Sequence, residues 1–119
     1  MIDCVFCRII AGYSPATVVC RTNVAIAIVP LNPVTPGHLL VIPTIHVADF
    51  TEKPSVSAAA MHFAANVAWD MGPCNLITSK GREATQSVFH LHIHIVPRTE
   101  DDGLALPWHS GRSLAEAVS

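Results

Sequence analysis

Hydrophobic positions along the chain fall into short runs with two different periods. Residues 18–20 and 24–29 are β-rich apolar runs, and Arg21-Thr22-Asn23 between them predicts a turn. Asn32-Pro33-Val34-Thr35-Pro36-Gly37 is too rich in Pro and Gly for a regular element and predicts a rigid loop. A further β-rich run, His38-Leu39-Leu40-Val41-Ile42, ends at Pro43. The period then changes. Val56, Ala60, Phe63, Val67 and Met71 recur at helical spacing, which predicts a main helix over 55–71, stopped by Gly72-Pro73. Residues 74–78 predict another strand and 79–85 a polar loop, while 86–96 predict a long strand with strict alternation. Beyond Pro97 the chain turns polar, and Asp101-Asp102-Gly103 marks a turn before the apolar Leu104-Ala105-Leu106-Pro107-Trp108. The sum is an α+β domain, an antiparallel sheet with one main α-helix.

Composition narrows the class. The 119 residues fit one domain over 1–119, half of them are hydrophobic and 13% are charged, so a core can be buried. Seven Lys and Arg are scattered and the net charge is -2. That leaves no basic stripe and argues against nucleic acid as a partner. The first residues lack a basic stretch followed by an apolar run, and the longest apolar run, residues 24–31, is too short for a bilayer. Both features point away from a membrane and give a cytoplasmic location as the expectation. In that reducing compartment Cys4, Cys7, Cys20 and Cys74 do not form a disulfide framework.

The chemistry concentrates in His90-Leu91-His92-Ile93-His94-Ile95-Val96. On a strand, alternate residues share a face, so Leu91, Ile93 and Ile95 point into a core. His90, His92 and His94 then project together, each about 6.6 Å from the next by strand rise. A solvent-facing strand tolerates one polar residue without meaning, but three imidazoles in perfect alternation point to a functional site. Two chemistries suit such a row, metal binding and phosphate transfer. For transfer, a neutral imidazole attacks phosphorus with one nitrogen while the other is held protonated, and a second imidazole donates to a phosphate oxygen.

The pattern His-apolar-His-apolar-His-apolar-apolar resembles the signature of the histidine-triad family. Cys4-Val5-Phe6-Cys7-Arg8-Ile9-Ile10-Ala11-Gly12 resembles the family's opening. The run from Asn32 to Pro43 is similar to its central strand, and Gln86-Ser87-Val88-Phe89 leads into the triad, with Pro97-Arg98 closing it. The resemblance covers a core of about 4–98 and leaves 99–119 as a C-terminal tail. It implies the HIT fold with an added short N-terminal helix. It also implies a nucleotide hydrolase or transferase that works through a covalent nucleotidyl-histidine. By that resemblance His92 is the nucleophile, His94 contacts phosphate and His38 hydrogen-bonds within the row, while Gln86, Ser87, Asn32 and Ser79 lie beside the substrate. No metal is needed at the phosphate. The other readings are a non-catalytic nucleotide-binding or interaction module and a metal-dependent enzyme. The latter lacks a carboxylate second shell in the sequence.

Three positions depart from the family's pocket. Pro30 stands where an Asp accepts from ribose hydroxyls, Ser79 where an Asn is common, and Thr85 where a Gly precedes Gln86. The histidines are intact, which implies preserved chemistry with altered nucleoside recognition. Cys4-x-x-Cys7 has metal-ligand spacing but supplies half of a tetrahedral site, and His46 and His90 are the strongest further ligands. Some family members bind structural zinc with matching residues; an unligated thiol pair and a redox motif are the alternatives. Cys20 and Cys74 read as buried cysteines. The Ala-rich helix, with Ala58, Ala59, Ala60, Ala64, Ala65 and Ala68, and the resemblance together imply a homodimer. The resemblance also implies that the tail reaches an active site, with Trp108 either covering the leaving group or packing in the ordinary way.

Overall fold

The computed structural model describes residues 3–112; the end of the tail, 113–119, lies outside them. Five strands, β1 (Thr17–Arg21), β2 (Ala25–Val29), β3 (Leu39–Pro43), β4 (Cys74–Ile77) and β5 (Ile93–Pro97), form one sheet in the order β1-β2-β3-β5-β4. Every neighbouring pair is antiparallel. Two α-helices accompany it, the short N-terminal α1 (Val5–Ala11) and the main α2 (Pro54–Ala68), with a 3-10 turn at Arg82–Ala84. The α+β fold expected from the sequence is therefore present.

The two helices cover opposite faces of the sheet, which explains why β2 and β3 read as continuous apolar runs. On one face Ala25, Ala27, Leu39, Val41, Ile93 and Ile95 meet Val56, Ala60, Phe63 and Ala64 of α2. Helix α2 begins with Pro in its first turn, where the missing N–H costs nothing. On the other face Ile26, Ile28, Leu40 and Ile42 pack against Phe6, with Val5, Ile9 and Ile10 of α1 alongside. His94 pairs with Leu40 across β3 and β5, so it shares this second face.

Two expectations are corrected. The strand predicted over 86–96 begins only at Ile93. Its ladder with β3 stops because Pro43 has no N–H to donate, and the Pro43 carbonyl is taken by the His90 ring at 2.8 Å. On the β4 side the Thr78 hydroxyl replaces a ladder bond by donating to the His92 carbonyl at 2.7 Å. Cys20 is not buried either. It lies on the edge strand β1, exposed along its whole length and bulged between Val18 and Cys20, while Cys74 is half-buried against the α2 core.

Candidate active site

The turn Thr35-Pro36-Gly37-His38 delivers His38 to the start of β3. It closes with the His38 N–H on the Thr35 carbonyl at 3.1 Å, and Gly37 takes φ 87°. Pro before a positive-φ Gly is the pattern of a type II turn. A Cβ at Gly37 would also come within 3.1 Å of Pro97 Cγ, so a side chain there would require the Pro97 ring to give by a few tenths of an ångström.

Backbone groups fix the proton positions of the imidazoles of His38, His92 and His94. The Val34 N–H donates to His38 Nδ1 at 3.1 Å. A neutral His38 therefore carries its proton on Nε2, which donates to His94 Nδ1 at 2.9 Å. His94 in turn must hold its proton on Nε2, leaving that N–H free to donate to a substrate oxygen. His92 Nδ1–H donates to the His90 carbonyl at 2.8 Å, so the lone pair of His92 resides on Nε2. The rings of His92 and His94 stand 5.4 Å apart, and Phe6 presses edgewise on His92 at 5.0 Å. One nucleophilic nitrogen and one oriented N–H donor result. The sequence held no signal for the Val34 amide, because a backbone group has no residue type to read.

Burial sets the charge state. It lowers His92 and His38 below the ordinary histidine value, and His94 falls to about 4, through burial first and the neighbouring His92 and His38 second. The unfolded chain thus takes up protons near pH 6.5 while folded His94 stays neutral down to about 4. The stability from this neutral site is full above pH 6.5 and lost as pH falls towards 4. Thermal unfolding across that window should show a falling Tm, and His94→Gln should flatten the slope. An identical slope in the variant would contradict it.

The polar residues around the pair are distributed unevenly. Gln86 is buried with its carboxamide bonded to the backbone of Gly81, Ala48 and Val88. Ser87 is exposed on the rim of a separate hollow of about 400 Å3, beside Cys4 and Phe89. Asn32 is exposed in the loop after β2, Pro30 is half-buried just before it, and Ser79 is half-buried directly after Thr78. Thr85 sits at φ 74°, the left-handed region, which costs a β-branched residue about 1–2 kcal/mol.

The tail contributes to a pocket of about 360 Å3. Leu104, Ala105 and Leu106 line it together with His38, His94, Val96, Ile77 and Asn75. Arg98 sets that geometry, a role the sequence did not indicate. It grips Asp102 with two bonds at 2.8 and 3.0 Å, reaches Asn75 Oδ1 at 2.8 Å and donates to the Leu104 carbonyl. The guanidinium holds the Asp102 carboxyl well below the usual carboxylate range. Trp108 is 80% exposed at the far turn of the tail, and it is not among the residues that line the pocket beside His38 and His94.

A second cluster forms where the first turn of α1 meets His46 and His90. Cys4 caps α1, and its Sγ accepts the Cys7 N–H at 3.5 Å, which brings both thiols to one side. His90 Nδ1 lies 3.4 Å from each sulfur and 3.0 Å from His46 Nδ1, and Cys7 Sγ lies 3.2 Å from His46 Nδ1. The Pro43 carbonyl accepts from His90 Nε2–H, so Nδ1 offers a lone pair to the cluster. All four donor atoms fall within 4.8 Å of one another. A zinc tetrahedron with bonds of about 2.0–2.3 Å has edges of roughly 3.3–3.8 Å, and the four separations above lie at or just below that length. Two thiols and two imidazoles are a donor set suited to that ion. Burial pushes the Cys7 thiol up, helped by Cys4, and a cation at the centre would reverse that direction.

Comparison with known proteins agrees with this geometry. A model of the HIT domain matches residues 11–101. Adenylylsulfatase HINT3 of Arabidopsis thaliana is 38% identical over 109 residues, covering 86% of this chain but 55% of the longer plant protein. The adenosine 5'-monophosphoramidase hnt1 of Schizosaccharomyces pombe is 35% identical over 112 residues, covering 91% of this chain and 84% of the yeast one. A crystal structure of a HIT family member from Bacillus subtilis superposes with a TM-score of 0.79 at 31% identity, covering 98% of this chain and 86% of that one. No helix among the described residues is long and apolar enough to cross a membrane. The paired imidazoles, the order of the sheet and the domain match agree, and the chain belongs to the HIT family of histidine-triad proteins.

Proposed function

We propose that this chain is a nucleotide hydrolase or transferase that breaks a phosphoramidate or phosphoanhydride bond at an α-phosphate, with the nucleotidyl group carried on His92. The observation that carries this reading is the 2.8 Å bond from His92 Nδ1–H to the His90 carbonyl, which leaves Nε2 as the free nucleophile. Its lone pair forms an N–P bond while the bond to the leaving group breaks. The His94 Nε2–H, aligned by His38, stabilises the charge on the phosphoryl oxygens as it grows. The ring keeps its Nδ1 proton, so the nucleotidyl-imidazolium remains a good leaving group. Water then attacks phosphorus, the N–P bond breaks, and free His92 returns. An adenylylsulfatase and an adenosine 5'-monophosphoramidase among the relatives support a nucleotide conjugate as the substrate class.

Cys4, Cys7, His46 and His90 are read as ligands of one structural zinc, which would tie α1 to the segment before β5. With four protein ligands such an ion has no open position for substrate, so the phosphate chemistry rests on the imidazoles alone. A homodimer is also part of this reading. Met61 and Trp69 are exposed on and just after α2, and the exposed Ala58 and Ala65, on the same face by helical spacing, would allow close helix approach. Sedimentation at micromolar concentration tests the dimer, and a monomer there removes it.

A panel of nucleoside phosphoramidates and dinucleoside polyphosphates tests the activity. Quenching at alkaline pH preserves an acid-labile phosphoramidate, and the expected result is a nucleotidyl mass on the peptide containing His92. Binding of nucleotides with neither turnover nor adduct on any substrate would replace the enzyme by a binding module.

A further inference from the structure

Gln86 has the residue type of a substrate contact, yet its side chain is 4% exposed and committed to the backbone. Oε1 accepts the Gly81 N–H at 2.9 Å. Nε2 donates to the Ala48 carbonyl at 2.6 Å and to the Val88 carbonyl at 3.2 Å. Its own backbone N–H donates to the Gly81 carbonyl at 3.0 Å. A carboxamide has two donor hydrogens, and both are in use. Any hydrogen bond donated from this side chain to a phosphate oxygen would first break one already made.

Three backbone segments meet at that carboxamide. Gly81 begins the turn over Arg82–Ala84, Ala48 stands two residues after His46, and Val88 stands two residues before His90. One rung further along, the Leu91 N–H donates to the Val47 carbonyl at 2.8 Å. Gln86 and Leu91 together lace residues 47–48 to 88–91, in the stretch where the strand ladder has already stopped. That laced segment contains the His90 carbonyl.

We propose that Gln86 is a positioning residue for the His92 imidazole: it holds 88–91 against 47–48, so that the His90 carbonyl stays where it accepts the His92 Nδ1 proton. The proposal rests on His92 as the nucleophile. Its signature differs from that of a substrate contact. A lost substrate contact raises KM, whereas a misdirected nucleophile lowers kcat. A displacement of about 1 Å at a reacting group is enough for a loss of roughly a hundredfold.

The test uses the full chain with Gln86→Met, which keeps the size and removes the bonds, and Gln86→Glu, which sets a carboxylate against two carbonyls. We expect kcat to fall roughly tenfold to a hundredfold, with KM within about twofold. A second readout needs no turnover. Nitrogen NMR of ring-labelled histidine should show His92 protonated at Nδ1 in the parent protein and a mixture of tautomers in Gln86→Met. Raised KM at constant kcat would overturn the proposal, as would an unchanged ring signal. If the parent protein turns over none of the panel, the nucleophile reading fails, and the ring signal alone decides whether Gln86 orients His92. Should Gln86→Met fail to fold, Gln86→Asn keeps the amide but withdraws it by one carbon, and it carries both readouts.

Discussion

Replacing His92 by alanine should lower turnover by a factor on the order of 10^4 or more, the scale reached when a covalent nucleophile is deleted. No other ring can take its place. His94 has its Nδ1 lone pair committed to His38, and its remaining nitrogen carries the proton. His90 directs its nitrogens to the Pro43 carbonyl and to the thiol cluster. Folding should suffer little. The variant loses one bond to a backbone carbonyl and edge contacts with Phe6 and His94, each worth about 0.5–1.5 kcal/mol. Steady-state kinetics and thermal unfolding of the parent and His92→Ala proteins check both halves. In His92→Gly, added imidazole should restore part of the rate by supplying the missing nucleophile from solution. Activity retained in His92→Ala would exclude covalent catalysis at this residue.

Losing the Cys4 thiolate should produce the largest change in stability. The intact protein is expected to carry about one zinc per chain, the number a four-ligand site requires. A ligand held at a thousand times its dissociation constant stabilises by about 4 kcal/mol, so Cys4→Ser should lower Tm by roughly 10–20 °C. The metal should leave on acidification, because the thiolates must be deprotonated to bind it. Elemental analysis beside thermal unfolding measures both effects. Metal-free protein of undiminished Tm would refute the site. Activity that follows metal content while the fold stays intact would assign the ion a catalytic role.

Local pattern carried much of the fold. The helical spacing of Val56, Ala60 and Phe63 marked α2, and the apolar runs at β2 and β3 marked strands, whose burial on both faces the fold then shows. The alternation of His92 and His94 with Ile93 and Ile95 put the imidazoles on one face correctly. Features decided by distant residues stayed hidden. Residues 86–92 alternate well enough for a strand, but Pro43 and Thr78, remote in sequence, end the ladder before them. Gln86 reads as polar and available, and only the fold shows its amide consumed by three backbone segments. Cys20 carries the hydrophobic signal of a core residue, and its exposure follows from β1 lying at the sheet's edge. The fork from Arg98 to Asp102, Asn75 and Leu104 depends on a chain reversal with no signature beyond a turn.

His90 performs two services with two different parts of itself. Its ring nitrogen faces the thiols, and its carbonyl holds the His92 proton. A ring belongs to one amino acid, but a main-chain carbonyl belongs to all twenty. Mutation at position 90 can therefore remove one ring from the cysteine–histidine cluster while the carbonyl that holds the His92 ring survives in kind. Under drift the two services are separable. A lineage could shed the cysteine–histidine cluster piece by piece and retain hydrolysis, provided its packing kept the segment in place. The reverse loss needs only one codon, at position 92, and would leave a folded relic with the cysteine–histidine cluster intact.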